Sequence, residues 1–328
     1  MDYMANIKDV AQLAGLSVGT VSRVLNNRGY ISDETREKVN TAMKQLNYVP
    51  NELAKSIFRQ YTKIIGVIVP FVTHPYFGKV VESLELYASK IGYKIMLCDS
   101  YFEKEKEIEY FKMLKGNKVD GIILGSRNMD ISDIVKDEFP LVTIDRILGD
   151  NIPCVSSDNY KGGVLATEYL ISKGCKKLAH ISGSPSLHLM ANKRSSAFLD
   201  ICKRNSIEPI IVSTGENQFT KMSYYDEIEA LFKNHPDIDG IFASSDIIAA
   251  QVIQVATEIG LKIPDDIKLV GYDDTNIAQL TTPKLTTIYQ PIEQISKYAL
   301  ELIINEIKGE IVPMRTVLPV KLIERGST

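Results

Sequence analysis

The sequence predicts a small all-α head joined to an α/β core of two doubly wound lobes, and three observations carry that prediction. Within the first 50 residues, apolar positions recur at helical spacing in short segments, each preceded by a capping residue. From Ile64 onward the pattern changes to Val/Ile/Leu-rich runs separated by helical stretches, as parallel strands buried on both faces require. That alternation runs through twice, with a break near Ser156 to Tyr160. The length agrees, since 328 residues exceed what one hydrophobic core usually organises, and 45% hydrophobic with 24% charged residues is an ordinary globular composition.

In the head, Ile7, Val10, Ala11 and Ala14 recur at i, i+3, i+4 and i+7, and Gly15 ends that helix by admitting a left-handed residue. Leu16 packs the turn. Ser17 is a good N-cap and Val18, Val21, Val24 and Leu25 follow at helical spacing, which is a helix-turn-helix arrangement. A third helix begins after Ser32, with Asp33 and Glu34 in its first turn, buries Val39, Ala42, Met43 and Leu46, and is stopped before Pro50. The expected core is small: Val10, Leu13, Val21, Val24, Val39, Met43 and Leu46.

Two small residues open the second helix, and a helix built only to pack would rarely begin that way. In a helix-turn-helix these positions face base edges in the major groove, where short side chains let the backbone approach. Val18 and Gly19 therefore face DNA. Thr20 and Ser22 can reach phosphate or base acceptors, Ser17 and Asn26 join them as candidate contacts, and Arg23 has the fork that matches guanine O6 and N7. Charge gives only weak support: residues 1–60 carry eight basic against six acidic groups, within a chain of net charge -3.

In the core, IIGVIV, KIMLC, VDGIILG and LVTID read as strands of the first lobe, and KLAHIS, PIIVS, DGIFAS and IKLVGY as strands of the second. Helices over 78–91 and 160–173 lie between them, ended by Gly92 and Gly174. A last helix over 292–308 and a strand over 316–320 return to the first lobe, so the lobes are expected at about 62–158 with 291–320, and 159–290 with 321–328. Ligands of open α/β sheets bind outside the carboxyl ends of strands, and two facing lobes make a cleft of those ends. Just after the strands stand Phe71 with His74, Tyr76 and Phe77, then Asp145, Arg146, Asp158, Arg194, Ser245, Asp246, Asp273 and Gln290. Carboxylates and a guanidinium pair with adjacent hydroxyls while an aromatic face covers the apolar side of a sugar ring. Asp246 is better read as a helix cap than as a ligand contact. Asp274 is open between turn and contact, Phe77 between core and contact, and 103–107, EKEKE, reads as a solvated helix face.

IKDVAQLAGLSVGTVSRVLNN, followed by TREKVNTAMKQLNYVPNELAKSI, resembles the headpiece of the LacI/GalR family of bacterial transcription regulators. The resemblance implies a headpiece over 1–50, a hinge helix and linker over 51–61, and an effector-binding and dimerisation core over 62–328 similar to periplasmic sugar-binding proteins. It implies that Asn51, Ala54, Lys55 and Ile57 meet the operator, with Ala54 and Ile57 of two subunits wedged into the minor groove. Leucine is the usual wedge, and here it is Ile57. GYDDTN and LTTIYQP resemble the family's effector-contact segments, which assigns effector contacts to Asp273 and Gln290. Arg194, in KRSSAF, matches the Arg of the family's R-x-x-G-aromatic pattern, although Ala197 replaces the glycine. The effector-contact set is thus Phe71, Tyr76, Phe77, Asp145, Arg146, Arg194, Ser245, Asp273 and Gln290.

The implied function is a cytoplasmic bacterial repressor that binds a pseudo-palindromic operator as a homodimer and responds to a sugar or sugar phosphate. A nucleobase or phosphoprotein effector is the variant reading, and no cofactor is called for. Dinucleotide, P-loop, nucleophile-elbow and HExxH motifs are lacking, and neither the four histidines nor the four cysteines have ligand spacing, which argues against an enzyme or a metal site. A sugar receptor for transport is the rival suggested by the core, opposed by the head and by an N-terminus without an export signal. No run of apolar residues is long enough to span a membrane, and the chain ends without a heptad helix, so a dimer is expected.

Overall fold

The computed structural model describes residues 5–48, 61–125, 139–185 and 189–328. The chain divides into two units, Met1–Thr62 and Lys63–Thr328.

The first unit is the expected three-helix head: α1 Ile7–Ala14, α2 Val18–Leu25 and α3 Asp33–Gln45. Asn6 starts α1 with a reciprocal pair of bonds, its side chain accepting from Lys8 N at 2.8 Å while its own amide donates to Asp9 at 2.7 Å. Gly15 ends it at φ 67°. Ser17 and Ser32 cap α2 and α3 by accepting from the amides of Thr20 and Thr35. Val10, Ala11, Val21, Val24, Val39 and Ala42 form the core, with Met43 and Leu46 packed at its edge. Leu13 is not part of it and remains 48% exposed. The buried stripe of α1 runs through Ile7, Val10, Ala11 and Ala14, and at 100° per residue Leu13 lies roughly 110° off its centre.

The second unit holds two six-stranded sheets. In the first, β1 Ile64–Val69, β2 Lys94–Asp99, β3 Gly121–Leu124, β4 Leu141–Ile144, β5 Cys154–Ser157 and β11 Arg315–Leu318 are ordered β11-β5-β4-β3-β1-β2, all parallel. In the second, β6 Leu178–Ser182, β7 Ile210–Ser213, β8 Gly240–Ala243, β9 Lys268–Asp273, β10 Thr286–Tyr289 and β12 Lys321–Ile323 are ordered β12-β10-β9-β8-β6-β7, parallel except at the β12 edge. The chain passes between sheets after β5, after β10 and after β11.

Helices cover both sheets, among them α4 Pro75–Lys90 and α5 Lys104–Gly116 on the first and α6 Asn159–Ser172, α7 Lys193–Arg204, α8 Glu216–Lys221, α9 Tyr225–Asn234 and α10 Asp246–Glu258 on the second. The short α11 Ile277–Leu280 follows β9, and α12 Ile292–Ile307 returns to the first sheet, burying Ile295, Ala299 and Ile303 beside Val67, Leu84 and Ile123. Three strands escape a hydrophobicity reading: β5 (CVSS) and β10 (TTIY), because buried serine and threonine stand in for aliphatic residues, and β12 (KLI), which is too short to show a pattern. On α5, Glu107 shares the buried face with Phe111 and Leu114 and accepts from Ser100 Oγ at 3.3 Å, so this part of EKEKE is not solvated.

α6 and α7 meet at backbone distance. A Cβ added to Gly163 would stand 2.6 Å from the carbonyl oxygen of Arg194 and 2.8 Å from the Ala197 methyl. Glycine at 163 thus makes the room that a glycine at 197 would otherwise provide.

Candidate functional site

The head presents a polar, small-residue surface on α2. Ser17, Val18, Gly19 and Arg23 are exposed and Thr20 and Ser22 half-buried. The Ser17 hydroxyl caps the helix and lies 2.9 Å from the Thr20 hydroxyl, which fixes the first turn while leaving Val18 outward. Asn26 differs from the expectation: its amide donates to the Ser22 carbonyl at 2.8 Å and its side chain is half-buried, so it braces the C-terminal end of α2. Asn51, Ala54, Lys55 and Ile57 lie outside the described residues.

In the second unit a cleft opens at the carboxyl ends of the strands, with about 1020 Å³ of non-atom space including its open mouth. Tyr76, Phe77, Asp145, Arg194, Ser245, Asp273 and Gln290 all line it. Phe71 and Arg146 do not. The Phe71 ring packs against Phe219 and Tyr101, and Arg146 is buried, with its carbonyl accepting from Thr143 Oγ1.

The lining side chains are tied together without a ligand. Ser157 Oγ, at the end of β5, donates to Gln290 Oε1 at 2.5 Å, and Gln290 Nε2 donates to Asp273 Oδ1 at 2.6 Å. Arg194 stands 3.9 Å from the same carboxylate, donates through Nε to Asn159 Oδ1 and through NH1 to the Ser244 carbonyl, both at 2.7 Å, and stacks 3.5 Å above the Tyr272 ring. Tyr76 donates its hydroxyl to Asp145 Oδ2. Asp145 Oδ1 has no hydrogen bond in good geometry among the described residues. The chain of bonds crosses from the first sheet to the second through Ser157 and Gln290.

Asp145 and Asp273 sit at φ 54° and 107°, in the region that disfavours a side chain, and the bonds around them hold that strain where the ligand groups converge. Burial raises both carboxyls above the ordinary range, opposed at Asp145 by the Tyr76 bond and at Asp273 by Arg194. Burial together with Asp145 raises the Tyr76 phenol.

Ser245, not Asp246, caps α10 through Ile248 N at 3.3 Å. Asp246 accepts from Thr275 N at 2.7 Å and Thr287 Oγ1 at 2.6 Å, pinning the segment after β9 to β10, and burial followed by the Asp273 charge raises its carboxyl. Asp158 caps α6 through Lys161 N, and Asp274 pairs with Arg325 at 2.6 Å, so neither lines the cleft.

His74 lines the cleft with the other strand-end residues, and several lining residues lie outside that set, including Asn192, Ser195, Thr214, Phe219 and Ser244. Thr214 and Ser244 do follow strands, but a small polar side chain there carries no signal that separates a ligand contact from an ordinary turn residue. Phe219 comes from α8 and reaches His74 at 5.3 Å, Phe71 at 5.8 Å and Phe102 at 6.0 Å between ring centroids. It carries no local signal, since its partners are more than a hundred residues away.

Among the described residues no helix is long and apolar enough to cross a membrane, and no group of three or more His, Cys, Asp or Glu side chains could hold a metal ion.

Residues 6–51 match the family of bacterial regulatory proteins called lacI, and residues 167–328 match a periplasmic binding protein-like domain. The ribose operon repressor of Halalkalibacterium halodurans is 38% identical over 330 residues, covering 99% of this chain and 97% of the relative. The sucrose operon repressor of Streptococcus mutans is 38% identical over 324 residues, covering 99% of both. The solved Lac repressor dimer, bound to operator and the anti-inducer ONPF, superposes with a TM-score of 0.88 at 26% identity and 99% coverage of each chain.

Proposed function

Since the chain belongs to the lacI family of bacterial regulatory proteins, we propose that it represses sugar-utilisation genes by binding a pseudo-palindromic operator as a homodimer, under control of a sugar in the cleft. It acts on the nucleoid in the bacterial cytoplasm, and its reading calls for no catalysis. The observation that carries this is the joint presence of an outward, small-residue α2 and a cleft whose carboxylates, guanidinium and aromatic rings are already set for a polyhydroxyl ligand.

The bond chain from Ser157 through Gln290 and Asp273 to Arg194 links the two sheets. A ligand engaging Asp145 on one side and Arg194 on the other favours one relative position of the lobes over another, and only that difference can alter operator binding. Coupling of about 1–3 kcal/mol changes operator affinity by roughly 5- to 150-fold. Ile57, with Ala54, supplies the minor-groove wedge in this reading, by resemblance to the family.

The test uses fluorescence anisotropy on operators selected by the protein from random DNA. Arg23→Ala should lose about 1–3 kcal/mol of specific binding with the core still folded. A saturating sugar, at about 100 times its dissociation constant, should add roughly 2.7 kcal/mol to thermal stability and lose that effect in Asp273→Ala. Unchanged operator affinity in Arg23→Ala would sink the α2 assignment.

A further inference from the structure

Behind the cleft wall His180, on β6, is fully buried and stacks on Phe242 at 4.4 Å between ring centroids. Its Nδ1 lies 2.8 Å from the Phe242 carbonyl oxygen and its Nε2 3.0 Å from Ser195 Oγ. A carbonyl can only accept, so Nδ1 carries the hydrogen. Burial lowers the ring to about 4 and keeps it neutral, so Nε2 is bare and Ser195 donates to it. Ser195, in the first turn of α7, lines the cleft and has one hydroxyl hydrogen, already committed inward. What it offers a ligand is lone pairs.

In charge, the rest of the described lining carries three carboxyl groups against one guanidinium. Asp145, Asp273 and Glu216 supply the carboxyl groups, and among the described residues no lysine lines the cleft. Among the described residues Arg194 is its one guanidinium, and two of its five N–H groups are engaged by Asn159 and the Ser244 carbonyl. Sugar hydroxyls can donate to such a wall, whereas a phosphoryl group brings acceptors and negative charge to carboxylates.

We propose that His180 fixes the Ser195 hydroxyl as an acceptor toward the cleft, so that Ser195 takes a hydroxyl hydrogen of the ligand and the cleft selects an unphosphorylated sugar over its phosphate ester. This rests on the sugar reading above and sharpens it. Ser195 touches ligand; His180 is a positioning residue.

The experiment titrates the full chain with matched pairs by calorimetry: D-ribose and D-ribose 5-phosphate, D-xylulose and its 5-phosphate, D-fructose and its 6-phosphate, sucrose and its 6-phosphate. A free sugar should bind at least about 10-fold more tightly than its ester. Ser195→Ala should weaken the free sugar about 5- to 10-fold and leave the ester unchanged. His180→Phe keeps the ring stack but releases the hydroxyl hydrogen, so the ratio between the two affinities should narrow. A merely structural His180 would weaken both members equally, and that result overturns its role. Should His180→Phe fail to fold, half-exposed Ser195→Ala still decides. Tighter binding of an ester than of its free sugar overturns the inference and leaves the sugar reading standing; silence from every pair overturns both.

Discussion

The head and the core put their functional side chains to opposite uses. On α2, Ser17, Val18, Gly19 and Arg23 stand in solvent, and what is fixed is the backbone beneath them, by a cap and a core of small residues. In the cleft, Arg194, Asp273 and Gln290 are buried and bonded to one another and to Ser157 and Asn159. The difference follows from partner size. A duplex supplies many contacts and can order exposed side chains as it binds, whereas a small sugar has few atoms with which to offset that ordering, so its site must be arranged in advance.

The contrast breaks most severely at Arg194. Arg194→Ala leaves Asn159 Oδ1 and the Ser244 carbonyl without that donor and Asp273 without its neighbouring cation, and removing one partner from a buried charged network costs about 3–5 kcal/mol. Urea unfolding of the full chain should show that loss, together with an operator affinity that no longer responds to sugar. A loss below about 1 kcal/mol would mean that the cleft is not held in advance.

Gly163→Ala tests whether arrangement in advance extends to the helices carrying Asn159 and Arg194. The added methyl meets a carbonyl and Ala197 rather than a flexible side-chain end, so an overpacking cost of about 1–3 kcal/mol is expected. Adding Ala197→Gly, which restores the glycine usual in the family pattern, should recover part of it. No recovery would show that the carbonyl of Arg194, not the methyl, sets the spacing.

These residues also show how far the sequence could be read. The alternation of apolar runs located the strands IIGVIV, LVTID and DGIFAS and the crossing helix α12, because burial on two faces demands a local composition. Asp145, Asp273 and Gln290 are legible as residues at strand ends and Arg194 as one at a helix start. Arg146 and Phe71 obey the same rule and yet do not line the cleft, since a strand end gives a location and not the direction of each side chain. Asp246 and Ser245 are both good capping types, and Ser245 takes the cap while Asp246 is drawn to Thr275 and Thr287 from distant segments. Phe219 depends on partners more than a hundred residues away, and Ser195 pairs with His180 fifteen residues back on a different element, so no periodic pattern marks either contact.

His180 sharpens the comparison through pH, because among the described residues of the head no titrating group is buried in this way. Its folded-state value of about 4 lies below the ordinary 6.5, so the folded chain binds fewer protons than the unfolded one between those limits. Its contribution is complete above about pH 6.5 and is lost as pH falls toward 4, about 2 kcal/mol by pH 5. The raised carboxyls of Asp246 and Asp273 act in the opposite sense, losing stability as pH rises, so the readout is the difference between wild type and His180→Phe. That difference should shrink by about 2 kcal/mol from pH 7.5 to pH 5, and a constant difference would show the ring protonates freely.

The smallest expected effect belongs to the head. Ser17→Ala removes the acceptor for Thr20 N at 3.1 Å and the contact with the Thr20 hydroxyl, a cap worth about 1 kcal/mol. Native-state hydrogen exchange on the full chain should therefore lower protection of α2 amides about 5-fold and leave the amides of β8 and β9 unchanged, since the two regions lie in separate units. If α2 depends on its cap in this way, operator affinity should fall with Ser17→Ala even though Val18, Gly19 and Arg23 are untouched, because exposed side chains can read DNA only from a backbone already held. Equal operator affinity with reduced protection would instead mean that the duplex itself orders the first turn of α2, and the head would then rely on its partner even more than the contrast with the cleft requires.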